Sequence, residues 1–148
     1  MSDLKTDRYL IENNPWFPKA EQGDAKAQYK LAMCIYKGEC GEGYMKEAAK
    51  LFRKSAEQGE AFAQYMLGNC YLAGEGTRQD FKAAVKWYRE AAEQGSPEAQ
   101  QALGACYEYG AGVQEDKIEA SKWYLRSAED TGWDVTEDME RLWQKQTV

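Results

Sequence analysis

A chain of 148 residues has room for one domain with a sizeable core, and its 13 % aromatic content with ordinary Gly and Pro usage excludes a disordered or fibrous class. The net charge of −6 repels a phosphate backbone and argues against nucleic acid as partner. Histidine is absent, and with it the commonest general base and the commonest metal ligand.

The chain opens on MSDLKTDRYL, a polar and charged stretch without the continuous apolar run of a signal peptide. No apolar run elsewhere reaches bilayer-spanning length, so a cytoplasmic protein without membrane insertion is expected. Asn14-Pro15-Trp16-Phe17-Pro18 follows and leads into Ala20-Glu21-Gln22-Gly23. This predicts a short helix with Asn14 as N-cap and Pro15 at its first position, the truncated second helix of a half-repeat.

From residue 24 onward the sequence repeats itself every 36 positions. Gln28, Gln64 and Gln100 hold this spacing, as do Leu31, Leu67 and Leu103, Cys34, Cys70 and Cys106, and Gly38, Gly74 and Gly110. In the middle copy, Ala63, Leu67, Cys70, Tyr71 and Gly74 form one helical stripe over roughly residues 60–73. Asp24, Glu60 and Ser96 precede the first helix of each copy, where Asp and Ser cap well and all three suit the dipole. Gly74-Glu75-Gly76 and Gly110-Ala111-Gly112 then break the chain into a turn. Asp80 and Asp116 open second helices with stripes Ala84, Trp87, Tyr88, Ala91 and Ala120, Trp123, Tyr124, Ser127, which Gly59, Gly95 and Gly132 close in their copies. A lone hairpin of this kind cannot bury both apolar faces, so successive hairpins must stack. Val135, Met139, Leu142 and Trp143 make a last stripe at i, i+4, i+7 and i+8, with Asp134 and Glu137 at capping-box spacing. The expected architecture is all-α: repeats at about 24–59, 60–95 and 96–132, a cap at 133–145, all in a single domain spanning 1–148.

Little in this pattern suggests chemistry. Cys34, Cys70 and Cys106 recur on the apolar stripe, and stacked equivalents lie about 10 Å apart, too far for a disulfide or a shared ion. They are expected to be core residues in a reducing compartment, whereas Cys40 falls in a turn and is expected to be an incidental loop residue or an exposed thiol. Trp87-Tyr88 and Trp123-Tyr124 have the phase of core rather than of a ligand platform. No carboxylate pair sits in isolation, no nucleophile–base set exists, and the glycine turns lack a phosphate loop's Lys-Ser/Thr. No catalytic residue, cofactor or metal is assigned, and enzyme activity is not expected.

The residues left over lie on the other side of each first helix. With Ala27, Leu31, Cys34, Ile35 and Gly38 inward, Lys26, Tyr29, Lys30, Met33 and Lys37 point out along the expected concave face. The second copy places Phe62, Tyr65, Met66 and Asn69 there, and the third Gln101 and Tyr109. A face that begins basic and turns aromatic and sulfur-rich is suited to gripping another protein or peptide.

The pattern A-x-A-Q-x-x-L-G-x-x-Y-x-x-G-x-G followed by D-x-x-x-A-x-x-W-Y-x-x-A-A-E-x-G, best kept from Ala61 to Gly95, resembles the Sel-like repeat family, a relative of the tetratricopeptide repeats. Pro97 to Gly132 keeps most of it. Ala25 to Gly59 departs: Ala32 stands for Gly, Ile35 for Tyr, and the turn Gly38-Glu39-Cys40-Gly41-Glu42-Gly43 is rearranged. The resemblance implies a right-handed α–α superhelix and adaptor or scaffold work, the partner being a protein or peptide. A monomer is favoured. Some short bacterial members neutralise a toxin by binding it, so an immunity-type inhibitor is the alternative. An enzyme acting on a small envelope-derived ligand is a minor one.

Overall fold

The computed structural model describes residues 4–144, with side chains from Arg8 onward. Among the described residues the secondary structure is entirely helical: α1 Leu4–Glu12, α2 Phe17–Glu21, α3 Ala25–Tyr36, α4 Met45–Glu57, α5 Ala61–Ala73, α6 Phe81–Glu93, α7 Pro97–Tyr109, α8 Lys117–Thr131 and α9 Thr136–Gln144. The final residue of the expected cap, Lys145, lies outside the described residues. Two compact units divide between Gln79 and Asp80.

In the first unit, α1 is an element that the repeat pattern does not announce. Arg8 holds it to α4 through both Glu47 carboxylate oxygens at 2.6 Å, and Ile11 is buried. The short helix starts at Phe17, two residues later than expected. Asn14 Oδ1 accepts from the Trp16 amide at 3.0 Å, closing a turn ahead of the helix rather than capping it.

The hairpins α3–α4 and α5, and in the second unit α6, α7–α8 and α9, pack as stacked pairs of helices. Leu31, Leu67 and Leu103 occupy matching environments at 1 %, 1 % and 0 % exposure, the outcome that stacked repeats require. Asp24 and Ser96 cap their helices through the Ala27 and Ala99 amides, and Asp80 and Asp116 do so through Ala83 and Glu119. Glu60 makes no side-chain cap bond; only its charge favours the helix start.

The repeated glutamines bind each first helix to the second helix before it. Gln28 donates to the Ala20 carbonyl at 3.4 Å, Gln64 to Ala56 at 3.2 Å and Gln100 to Ala92 at 3.1 Å. Each therefore brings a second donor to a last-turn carbonyl that already accepts from the backbone amide of Gly23, Gly59 or Gly95. Gln58 completes the motif in the first unit by donating to Gln28 Oε1 at 2.7 Å. Its counterpart in the last copy is Asp130, which has no proton to donate, and Gln100 Oε1 finds no partner among the described residues.

The second glycine of each turn lies against the start of the preceding second helix. A Cβ on Gly76 would sit 2.2 Å from the Met45 carbonyl oxygen, and one on Gly112 would sit 2.3 Å from that of Phe81. The rearranged first turn behaves differently: Gly38, Gly41 and Gly43 all adopt positive φ and fold Cys40 inward. Cys40 lies in the turn as expected, but at 2 % exposure it is a buried thiol, which corrects the expectation of an exposed one, and the Asn14 amide approaches its Sγ at 3.8 Å. Cys70 and Cys106 are buried as expected, whereas Cys34 is only half-buried.

In the second unit Tyr88, Trp123 and Tyr124 are core and Trp87 is half-buried, with the Lys86 ammonium 5.1 Å from its ring centre. Gly104 lets α8 approach α7, since a Cβ there would meet the Tyr124 ring at 2.9 Å. Asp134 bonds the Thr136 amide at 2.9 Å, two residues on, rather than the Glu137 amide that a capping box uses. Hydrogen bonds from the Thr136 hydroxyl and then its amide hold the Asp134 carboxyl below the usual range.

Candidate interaction surface

In the first unit the outward faces of α3 and α5 meet through aromatic rings. The cap at Asp24 sets the rotation of α3, so Lys26, Tyr29, Lys30, Met33 and Lys37 share one face while Ala27, Leu31 and Ile35 are buried. Tyr29 lies 5.4 Å from Phe62, and Phe62 lies 6.4 Å from Tyr65. Tilted rings at these separations attract through their quadrupoles beyond their area burial. Phe62 is 37 % exposed and both tyrosines are half-buried, so the cluster is supported from beneath and open above.

Lys26 and Lys37 are exposed, and Met33 is half-buried. Lys30 is half-buried because its ammonium stands 4.8 Å over the Trp16 ring, a cation–π contact that fixes the charge beside the aromatic cluster. Trp16 thus belongs to this face although the repeat pattern places it only in the N-terminal half-repeat. A lysine and a tryptophan 14 residues apart carry no periodic signal that would have paired them.

Met66 corrects one expectation. It is 6 % exposed and belongs to the core, with the Asn69 amide 3.8 Å from its sulfur. Phe62, one turn earlier, occupies the surface that Met66 was expected to share. Asn69 itself is half-buried.

In the second unit, Tyr109 is 61 % exposed and Gln101 half-buried, with Ala102 and Ala105 half-buried between them. On the outward face of α7, Tyr109 is the exposed ring.

The titratable groups with the largest burial are committed to structure. Glu108, 4 % exposed, accepts from Tyr124 Oη at 2.8 Å and from Arg141 Nε and Nη2 at 2.7 and 2.8 Å. Burial, then the Glu108 hydrogen bond, pushes the Tyr124 hydroxyl above its ordinary value, and the two carboxylates of Glu108 and Asp138 hold Arg141 above its own. Burial raises the Cys70 and Cys106 thiols to about 11, with Glu75 adding to Cys70. Burial likewise raises Cys40, its neighbour Cys34 adding to the effect. Such thiols stay protonated near neutrality and are poor nucleophiles and poor metal ligands.

The Sel1 repeat family model matches residues 25–60, 61–96 and 97–131. Among solved structures, a Sel1 repeat protein from Oxalobacter formigenes is 40 % identical with a TM-score of 0.75, covering 82 % of this chain and 50 % of that one. The protein c5321, a protective antigen present in uropathogenic Escherichia coli strains and displaying an SLR fold, is 43 % identical with a TM-score of 0.75, covering 81 % of this chain and 25 % of that one. Helicobacter pylori cysteine rich protein B shares the fold at 18 % identity and a TM-score of 0.65, covering 86 % and 96 % of the two chains. This chain therefore spans half the length of the first relative and a quarter of the second. A search of curated protein sequences returned no match.

Proposed function

Because the chain belongs to the Sel1 repeat family, we propose that it is a non-catalytic adaptor that holds a peptide segment of a partner protein against the α3/α5 face of its first unit. Sel1 repeat proteins generally serve as protein–protein interaction modules and non-catalytic scaffolds. No described helix is long and apolar enough to cross a membrane.

The observation that carries the reading is the Tyr29–Phe62–Tyr65 cluster with Lys30 seated on Trp16 beside it. Two-torsion aromatic side chains, already packed against one another, lose little entropy when a partner covers them. An apolar residue of the partner covers Phe62, and its flanking acidic groups meet Lys26, Lys30 and Lys37.

The test is affinity capture from the source cells with the parent and Phe62→Ala proteins side by side, read by quantitative mass spectrometry. Partners retained by the parent should fall about ten-fold or more on the variant, the loss expected of a central aromatic anchor. Equal capture by both proteins sinks the reading.

A further inference from the structure

The cleft between α8 and α9 is a second docking site on this protein, and we propose that its occupant is a basic amphipathic helix of a partner protein. The site is independent of the α3/α5 face.

The argument starts from an 18-residue spacing that occurs three times. In the first unit Arg53 of α4 reaches the Tyr71 hydroxyl of α5, its guanidinium 5.5 Å from the ring centre. In the second, Arg89 of α6 reaches the Tyr107 hydroxyl of α7 at 2.5 Å, with its guanidinium 5.6 Å from the ring centre. Each pair seals the junction between a second helix and the first helix after it with a hydrogen bond and a cation over a ring. At the next equivalent positions stand Leu125 on α8 and Trp143 on α9. The polar seal has become an apolar pair, and its members are 46 % and 44 % exposed. They line a cleft of about 660 Å³ with Val135, Met139 and Glu140.

The helix α9 follows the register of a first helix. Val135, Met139 and Leu142 stand 36 residues after Ala99, Leu103 and Cys106, and Val135 and Leu142 are buried against Ala120 and Tyr124. By the same count Glu140 falls where earlier copies have Ala32, Gly68 and Gly104. At Gly104 the following helix comes so close that a Cβ would meet the Tyr124 ring. The place that on α7 receives α8 therefore carries an exposed carboxylate on α9. A helix that relies on a small residue at that point cannot pack on Glu140 as α8 packs on Gly104. A helix bearing Lys or Arg at that point can, with its apolar stripe on Leu125, Met139 and Trp143.

Charge selects the same occupant. Residues 115–144 hold nine acidic and four basic side chains. A second copy of this face would bring the same excess and be repelled, whereas a basic helix is drawn in.

The experiment measures binding of a fluorescent synthetic peptide of about 15 residues, the length of α8, with leucine on one face and lysine on the other, at physiological salt. The comparison peptide carries glutamate in place of lysine. The lysine peptide should bind, and Leu125→Ala combined with Trp143→Ala should weaken it about ten-fold or more. Glu140→Gln should weaken it about three-fold or more, as loss of a half-desolvated charge pair does. Phe62→Ala should leave it unchanged, which separates this site from the α3/α5 face. Leu125→Ala alone leaves α9 intact and should still weaken binding, so a displaced α9 cannot account for the loss. Equal binding of both peptides, or parent-like binding by the Leu125 and Glu140 variants, overturns the proposal. So does a dimer in sedimentation equilibrium that Trp143→Glu dissolves, since the cleft then belongs to a second copy.

Discussion

Arg141 on α9 grips Glu108 on α7 with two hydrogen bonds at 2.7 and 2.8 Å, and the carboxylate beneath it is almost fully buried. Position 108 corresponds to Tyr36 and Leu72 in the earlier copies. The carboxylate occurs only in the copy that has α9 above it, so the pair acts as a latch for the terminal helix.

Replacing Arg141 by Leu should cost about 2–3 kcal/mol in urea denaturation at neutral pH. The figure lies at the low end for a broken buried pair because the arginine is itself 37 % exposed. The double variant with Glu108→Leu should recover part of that loss, because no buried charge is then left unpaired although the Tyr124 hydroxyl loses this acceptor. A double variant no more stable than Arg141→Leu alone would show that the latch contributes by packing rather than by charge.

Met66 and Phe62 should separate stability from surface. Met66→Ala should lower the unfolding free energy by about 2–4 kcal/mol, the cost of a cavity at a buried site. Phe62→Ala should cost about 1 kcal/mol, since more than a third of that residue is already in water. Thermal or urea unfolding of the two variants decides it, and equal losses would refute the assignment of Phe62 to the open face.

The turn glycines divide into two classes. Gly112→Ala should destabilise by about 3 kcal/mol or more, because its Cβ collides with the rigid Phe81 carbonyl in addition to the φ strain. Gly95→Ala meets nothing within 4 Å and should cost only about 1 kcal/mol from its φ of +98°. Similar melting temperatures for the two variants would contradict the close approach of turn and helix.

Asp130→Gln should stabilise the protein by about 0.5–1.5 kcal/mol by supplying the donor that Gln58 supplies in the first unit. A chemical denaturation curve shifted to higher midpoint with unchanged slope is the expected result. No shift would mean that the extra residue at the end of α8 points the side chain away from Gln100.

Alkaline pH should unfold the protein through its buried thiols. Cys70 and Cys106 ionise at about 11 when folded but near 9 when unfolded. The unfolded chain loses its protons first, so stability should be level below pH 9 and fall as pH rises from 9 toward 11. Tyr124, also held above its ordinary value, extends the fall beyond pH 10. Urea midpoints across this range should drop less for Cys70→Ala combined with Cys106→Ala. Rapid reaction of Cys40, Cys70 and Cys106 with a disulfide reagent near pH 8 would contradict their burial.

The hairpins were legible in the sequence because stacking imposes the same environment on every copy. A residue buried in one copy is buried in the next, and Leu31, Leu67 and Leu103 report this directly. Caps were legible for a similar reason: Asp24, Asp80, Ser96 and Asp116 act on amides three residues away, so spacing alone identifies them. The 18-residue Arg–Tyr spacing is equally present in the sequence, but polar positions on a repeat's flank carry no burial signal like that of the apolar stripe.

Where the repeat breaks, only the tertiary structure decided. The outward face of α5 alternates between exposed Phe62 and buried Met66 one turn later, a difference that depends on which neighbouring helix covers each side chain. Cys40 is buried within its turn because the positive-φ glycines at 38, 41 and 43 turn the chain back on itself. Lys30 on Trp16, and Arg141 on Glu108, join residues far apart in the chain with no periodic relation. Repetition makes local environment predictable from sequence, and the sites with a claim on a partner lie where that repetition is interrupted.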